Sequence, residues 1–215
     1  MIANPKPMNI EPNNSSKIIA IGTLAKFSVY RAPIKNTIPE REMTLIELYK
    51  LIKSDRYQKQ TEALRAITDQ AQARAFKASQ LNYVTLSGVF SKRSDSALLH
   101  HSGLLTLDID HVSNLPMVKA TLLADSFLDI KLMFKSPTGY GLKAAVNIDL
   151  EKGSHLQWFN AISNYIRETY QIKLDASGKD PSRAAFLCYD PEIYIHPDLF
   201  TQFSNPLHSN NHESN

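Results

Sequence analysis

Asp108 and Asp110 close the apolar run Leu104-Leu105-Thr106-Leu107. In an extended strand, positions i and i+2 share a face, with their Cα atoms about 6.5–7 Å apart. Two carboxylates on one face repel each other and are costly to bury together. A divalent cation relieves that cost. Mg²⁺ or Mn²⁺ suits all-oxygen ligands and leaves room for waters and phosphates. The same pair can instead cap helices or pair with lysines. Asp175 follows Ile172 and Leu174, so it is placed to end a short strand and to give the same site a third carboxylate.

A second feature is the loop Ser136-Pro137-Thr138-Gly139-Tyr140-Gly141. Its glycines let a backbone approach a phosphate closely, and its N–H groups can bind one. Lys143 follows on the emerging strand and can add a positive charge. The plain alternative is a hairpin with a glycine-rich tip. The loop is not a Walker A motif, because G-x-x-x-x-G-K-[ST] is absent. A third cluster holds Asp175, Lys179, Asp180, Ser182 and Arg183. The fork of donors on Arg183 suits phosphate, and the bland alternative is a solvated polar loop. His100, His101 and His111 flank the aspartate pair, yet no H-x-x-x-H or H-E-x-x-H spacing supports zinc. Cys188 reads as a small buried hydrophobe.

Several elements must hold these residues. Ile18–Leu24 and Lys26–Tyr30 read as a first strand or hairpin. Thr44 to Ile52 reads as a helix with a capping box from Thr44 and Glu47. One polar helix is expected over Gln58–Ser79, with the stripe Ala63, Leu64, Ile67, Ala71 and Ala75. Strands follow at Tyr83–Leu86, Leu104–Asp110, Leu132–Lys135 and Leu142–Ile148. A helix is expected over Leu115–Asp125. Another starts at Ser154 and Gln157, with Trp158, Ile162, Tyr165 and Ile166 on one side. Short strands are expected at Ala185–Tyr189 and Ile193–Ile195. The order strand, helix, strand, strand, helix, strand is a split βαβ pattern. It implies an α+β architecture, a mixed or antiparallel sheet with helices on one face.

The composition agrees. The 215 residues carry a net charge of +3, with 43% apolar and 21% charged residues, which excludes a disordered or coiled-coil chain. One cysteine excludes a disulfide framework and suits a reducing cytoplasm. No run approaches the roughly 18 apolar residues of a membrane span. Residues 1–16 read as a flexible arm and 201–215 as a disordered tail.

Taken together, certain strings resemble a known family. They are Leu86-Ser87-Gly88-Val89-Phe90, His101-Ser102-Gly103-Leu104, Leu107-Asp108-Ile109-Asp110-His111, Lys135 to Lys143, and Asp175 to Tyr189 around Lys179-Asp180-Pro181-Ser182-Arg183. This series resembles the VirE N-terminal-type, primase-like domain of bacterial mobile-element primase-helicases, within the archaeo-eukaryotic primase (prim-pol) superfamily. The resemblance spans about Lys26 to Pro197. It implies an RRM-like catalytic sheet (83–200) with an N-terminal α/β unit (17–82). It implies that Asp108, Asp110 and Asp175 bind Mg²⁺ or Mn²⁺. It further implies that Ser136, Thr138, Gly139, Gly141, Lys143, Lys179 and Arg183 bind a nucleotide. Lys143 stands where the family usually has histidine, so it offers a point charge with different reach. The implied activity is metal-assisted transfer of nucleotides on a single-stranded DNA template, from nucleoside triphosphates, with a helicase domain or protein as partner.

Two other readings compete. Asp108-Ile109-Asp110-His111-Val112 fits the D-x-D-x-[TV] pattern of haloacid-dehalogenase-like phosphatases, which needs a parallel sheet and a late acidic pair. A degenerate module that binds nucleic acid without catalysis is the other, since an RRM-like sheet can bind strands by stacking.

Overall fold

A computed structural model describes residues 25–110 and 112–201. The first sheet has the order β2-β1-β3-β9, from β1 (Lys26–Tyr30), β2 (Arg41–Thr44), β3 (Tyr83–Thr85) and β9 (Ala185–Phe186). The second has the order β10-β7-β8-β6, from β6 (Leu104–Ile109), β7 (Ile130–Lys135), β8 (Leu142–Asn147) and β10 (Tyr194–Ile195). A hairpin, β4 (Gly88–Phe90) with β5 (Leu98–His101), joins the two sheets along the chain. Every pairing is antiparallel. The protein is therefore α+β. Among the described residues, the phosphatase reading lacks the parallel sheet it needs.

The second sheet is covered on both faces, which is why β6 shows no polar alternation and is buried at all six positions. Leu105, Leu107 and Ile109 pack with Leu122 of α4 (Leu115–Leu123) and with Phe159, Ile162 and Ile166 of α5 (His155–Tyr170). Each such buried side chain stabilises the fold by about 1.5–3 kcal/mol. Leu104 on the opposite face packs with Leu132, Phe134 and Ala145, and with Phe27, Val29 and Leu86 of the N-terminal part. Helix α1 (Leu45–Lys53) adds Leu48 and Ile52 to that core. Asp108 has the parity of Leu104, so it points between the two sheets.

Split βαβ connectivity is present: β8 lies between β6 and β7, which α4 connects. The last strand, β10, joins the edge at β7 and not at β6. The division at residue 82 does not follow the sheets, because β3 and β9 both belong to the first one. The capping boxes form as expected, Thr44 with Glu47 and Ser154 with Gln157.

Other expectations differ from the structure. Gln58–Ser79 is two helices, α2 (Gln58–Arg65) and α3 (Gln70–Gln80). The break arises because Asp69 accepts a hydrogen bond from the Gln72 N–H at 2.7 Å. Aspartate competes with a helix interior in this way and is favoured as an N-cap. Strands β2, β4 and β5 are too short to carry a period. Of Ala185–Tyr189 only the first two residues pair as a strand, although Leu187 and Cys188 are fully buried. Burial pushes the Cys188 thiol up to about 12. The expected strand Ile18–Leu24 and arm 1–16 lie outside the described residues. So does the expected tail beyond Thr201, the last residue of α6 (Asp198–Thr201). Among the described residues, no helix is long and apolar enough to cross a membrane.

Candidate metal and phosphate site

The register of β6 on β8 sets Asp108 directly opposite Lys143. Their side chains meet in the buried layer, with Lys143 Nζ 2.5 Å from Asp108 Oδ2. Asp110 lies two residues further on, just past the end of β6 and exposed. Asp175 is tied to the same strand, because its N–H donates to the Asp108 carbonyl at 3.0 Å. Its carboxylate caps the short turn Ala176–Lys179 by accepting from the Ser177 N–H at 2.9 Å. Asp175 thus ends a loop and not a strand.

Carboxylate oxygens of Asp108, Asp110 and Asp175 all lie within 4.8 Å of one another. This trio can hold a metal ion. Asp108 supplies the most telling atom: Oδ1 is buried and has no hydrogen-bond partner among the described residues. A buried carboxylate oxygen left unpaired is costly, and a cation in the trio would satisfy it. Oδ2 of the same carboxylate accepts from Lys143 and, at 3.0 Å, from Nη2 of Arg183. Arg183 Nη2 also donates to Asp175 Oδ2 at 2.7 Å. Burial works against the charged form of Asp108, but Lys143 and Arg183 together outweigh it and hold the pKa below the usual value. Asp175 is likewise lowered: burial opposes it, while the Ser177 hydrogen bonds, Arg183 and Lys143 prevail.

Ser136 to Gly141 forms a tight turn beside the acids. The Ser136 N–H donates to the Gly141 carbonyl at 2.8 Å, and the Gly139 N–H to the Ser136 carbonyl at 2.9 Å. Gly139 has φ +85°, which favours glycine. A Cβ on Gly141 would lie 2.4 Å from the Ile109 carbonyl oxygen and 3.1 Å from Asp110 Oδ1. Only glycine lets the loop approach so closely. Arg65 clamps the turn from α2, donating to the carbonyls of Pro137 and Ser136 at 3.2 and 3.3 Å. Two loop N–H groups are therefore used inside the turn. The loop's cleft wall is made by Ser136, Pro137 and Thr138; Gly139 and Gly141, expected to bind the nucleotide, do not line it.

All three features open on one cleft of about 460 Å³. Asp108, Asp110, Asp175, Ser136, Thr138, Lys143 and Arg183 line it. Lys179 does not: it is exposed and outside the cleft wall. Sequence reasoning missed Lys77 and Arg93, which line the cleft from α3 and from the link between β4 and β5. No local motif marks either one, since only the fold brings them near the acids.

His101 and His155 serve structure. Gly103 N–H donates to His101 Nδ1, His101 Nε2 faces His155 Nδ1 at 3.0 Å, and His155 Nε2 reaches the Gly178 carbonyl at 3.1 Å. This chain satisfies all four ring nitrogens when both rings are neutral. It also braces the turn that Asp175 caps, where a Cβ on Gly178 would lie 2.8 Å from Phe159 and from the Thr106 carbonyl. His111 lies outside the described residues.

No curated protein and no solved structure matches the chain. Residues 76–195 match the family model described as BT4734-like, N-terminal domain. That stretch runs from the last turn of α3 to the end of β10 and includes the three acids, the 136–141 turn, Lys143 and Arg183. The chain belongs to the BT4734-like N-terminal domain family.

Proposed function

We propose that the chain is a primase-polymerase-like nucleotidyltransferase domain of the VirE N-terminal type. It works in the cytoplasm on a single-stranded DNA template in mobile-element replication, alongside a helicase domain or protein. The observation that carries this reading is the meeting of Asp108, Asp110 and Asp175 within 4.8 Å, in a cleft that also presents Lys143, Arg183 and two loop hydroxyls. Asp108, Asp110 and Asp175 would hold Mg²⁺ or Mn²⁺. Such an ion supplies Lewis-acid activation of an attacking hydroxyl and charge relief at a leaving pyrophosphate. Ser136 and Thr138 donate hydroxyl hydrogen bonds to the phosphates. Lys143 and Arg183 move from carboxylate to phosphate as the nucleotide enters, and their charges then stabilise the anion that develops.

The close Lys143–Asp108 pair favours a second reading, a degenerate nucleic-acid-binding module without catalysis, because it engages the lysine that the chemistry needs. Labelled nucleotide, a single-stranded DNA template and Mn²⁺ separate the two. The enzyme reading expects short products or primer extension that Asp108→Asn abolishes. Salt-sensitive DNA binding with no incorporation under either metal supports the binding module.

A further inference from the structure

We infer that Lys77 and Arg93 form a second anion subsite in the cleft that the acids line, one that takes the terminal phosphates of a nucleoside triphosphate. The inference rests on the phosphate-binding reading of the cleft and assigns residues to it that no sequence motif reveals.

Four carboxylates and four cations line the cleft: Asp108, Asp110, Asp175 and Asp180 against Lys77, Arg93, Lys143 and Arg183. Lys143 and Arg183 are already paired with Asp108 and Asp175. Lys77 and Arg93 form no ion pair with any carboxylate among the described residues. Lys77 is half-buried, and the contact it makes is with the Phe186 ring, 5.5 Å from Nζ to the centroid. Burial and the nearby Lys143 charge push its pKa down, against the opposing pull of Asp108 and Asp110. Arg93 is held rigidly. Its N–H donates to the Thr37 carbonyl at 2.8 Å, its Nη2 to the Ile34 carbonyl at 3.3 Å, and its guanidinium lies over Tyr83. Its Nε is buried with no partner among the described residues.

Two partly buried cations with no carboxylate in ion-pair contact are better satisfied when an anion meets them. Their position selects the anion. Lys77 comes from α3 and Arg93 from the link between β4 and β5, while the acids come from β6, its end and the loop before Ala176, and both groups share a cleft of about 460 Å³. A volume of that size fits one small ligand. A triphosphate held near the acids at one end extends its remaining phosphates toward Lys77 and Arg93. A monophosphate has nothing to place there.

Inorganic tripolyphosphate, titrated calorimetrically without metal, is the direct probe. Lys77→Gln is expected to weaken its binding by about tenfold or more, the loss of one charge-assisted contact. Nucleoside monophosphate affinity stays unchanged, and Lys77→Arg restores tripolyphosphate binding. Lys77→Gln should melt no lower than the native protein, since it removes an unpaired half-buried charge. Equal tripolyphosphate affinity in Lys77→Gln and native protein overturns the inference. So does a loss confined to single-stranded DNA, which would assign the cations to strand phosphodiesters. A lowered melting temperature with binding that Lys77→Arg fails to rescue also overturns it, by making Lys77 structural. Asp108→Asn separates this result from the enzymatic reading: it removes nucleotide incorporation, while Lys77→Gln still weakens metal-free tripolyphosphate binding in the Asp108→Asn background.

Discussion

Lys143 and Asp108 face each other across the β6–β8 pair, Nζ to Oδ2 2.5 Å apart, with side chains only 8% and 4% exposed. In the absence of a metal, the lysine neutralises the most buried acid of the trio. Breaking a buried pair from one side leaves an uncompensated charge and costs about 3–5 kcal/mol. Arg183 still touches Asp108, so Lys143→Met should fall at the lower end, about 3 kcal/mol. Adding Asp108→Asn should recover part of that loss. Urea unfolding of the two single variants and the double variant checks it, and additive losses would mean that the pair is not coupled.

The same pair makes metal and nucleotide binding interdependent. A phosphate that draws Lys143 and Arg183 away frees Asp108 for a cation, and a cation on Asp108 frees both side chains for phosphate. Mn²⁺ and a nucleoside triphosphate together should raise the melting temperature by more than the sum of each alone. Lys143→Ala should reduce that excess. Simple additivity in the native protein would contradict the exchange.

Gly141 is expected to be intolerant of any side chain. A Cβ there would meet the Ile109 carbonyl at 2.4 Å, which is backbone and cannot swing away. Gly141→Ala should cost about 1–3 kcal/mol, as overpacking does, and should displace Asp110. Thermal melting gives the first effect. A weaker Mn²⁺-induced shift gives the second, and an unchanged shift would show that the turn does not position Asp110.

Asp108, Asp110 and the Ser136 to Gly141 turn were legible because each lies within a few residues of chain and follows a strongly apolar run. Ile109 and Leu107 mark the strand that aims Asp108, and Gly139 and Gly141 mark the turn. Lys77, Arg93 and Arg65 were not legible. Each acts through tertiary packing: Arg65 reaches Ser136 from 71 residues away. Pairing of Lys143 with Asp108 depends on strand register, which composition does not carry. The break at Asp69 was missed because the alanine stripe continues past it while the side chain caps the next helix.

Acid should weaken the fold through the histidine chain. Burial, then His155 and His100, bring His101 down to about 4. Burial also lowers His155, against the opposing pull of the Gly178 carbonyl, Asp95 and Asp180. An unfolded histidine titrates near about 6.5. Below that pH the unfolded chain binds protons that the folded chain refuses, so stability is full above about 6.5 and falls toward about 4. The urea midpoint should therefore drop between about pH 7 and pH 5. His101→Gln combined with His155→Gln should flatten that drop, and an equally steep drop in the double variant would place its origin elsewhere.

Direct titration of Mn²⁺, followed by the loss of the free-ion electron paramagnetic resonance signal, tests the metal site at the centre of this account. The native protein should bind Mn²⁺ saturably, and more tightly with a nucleoside triphosphate present. Asp108→Asn should abolish the saturable binding, because it removes the one acid whose buried Oδ1 has no other partner among the described residues. Saturable binding of equal affinity in Asp108→Asn would contradict the account and place the metal away from Asp108, Asp110 and Asp175.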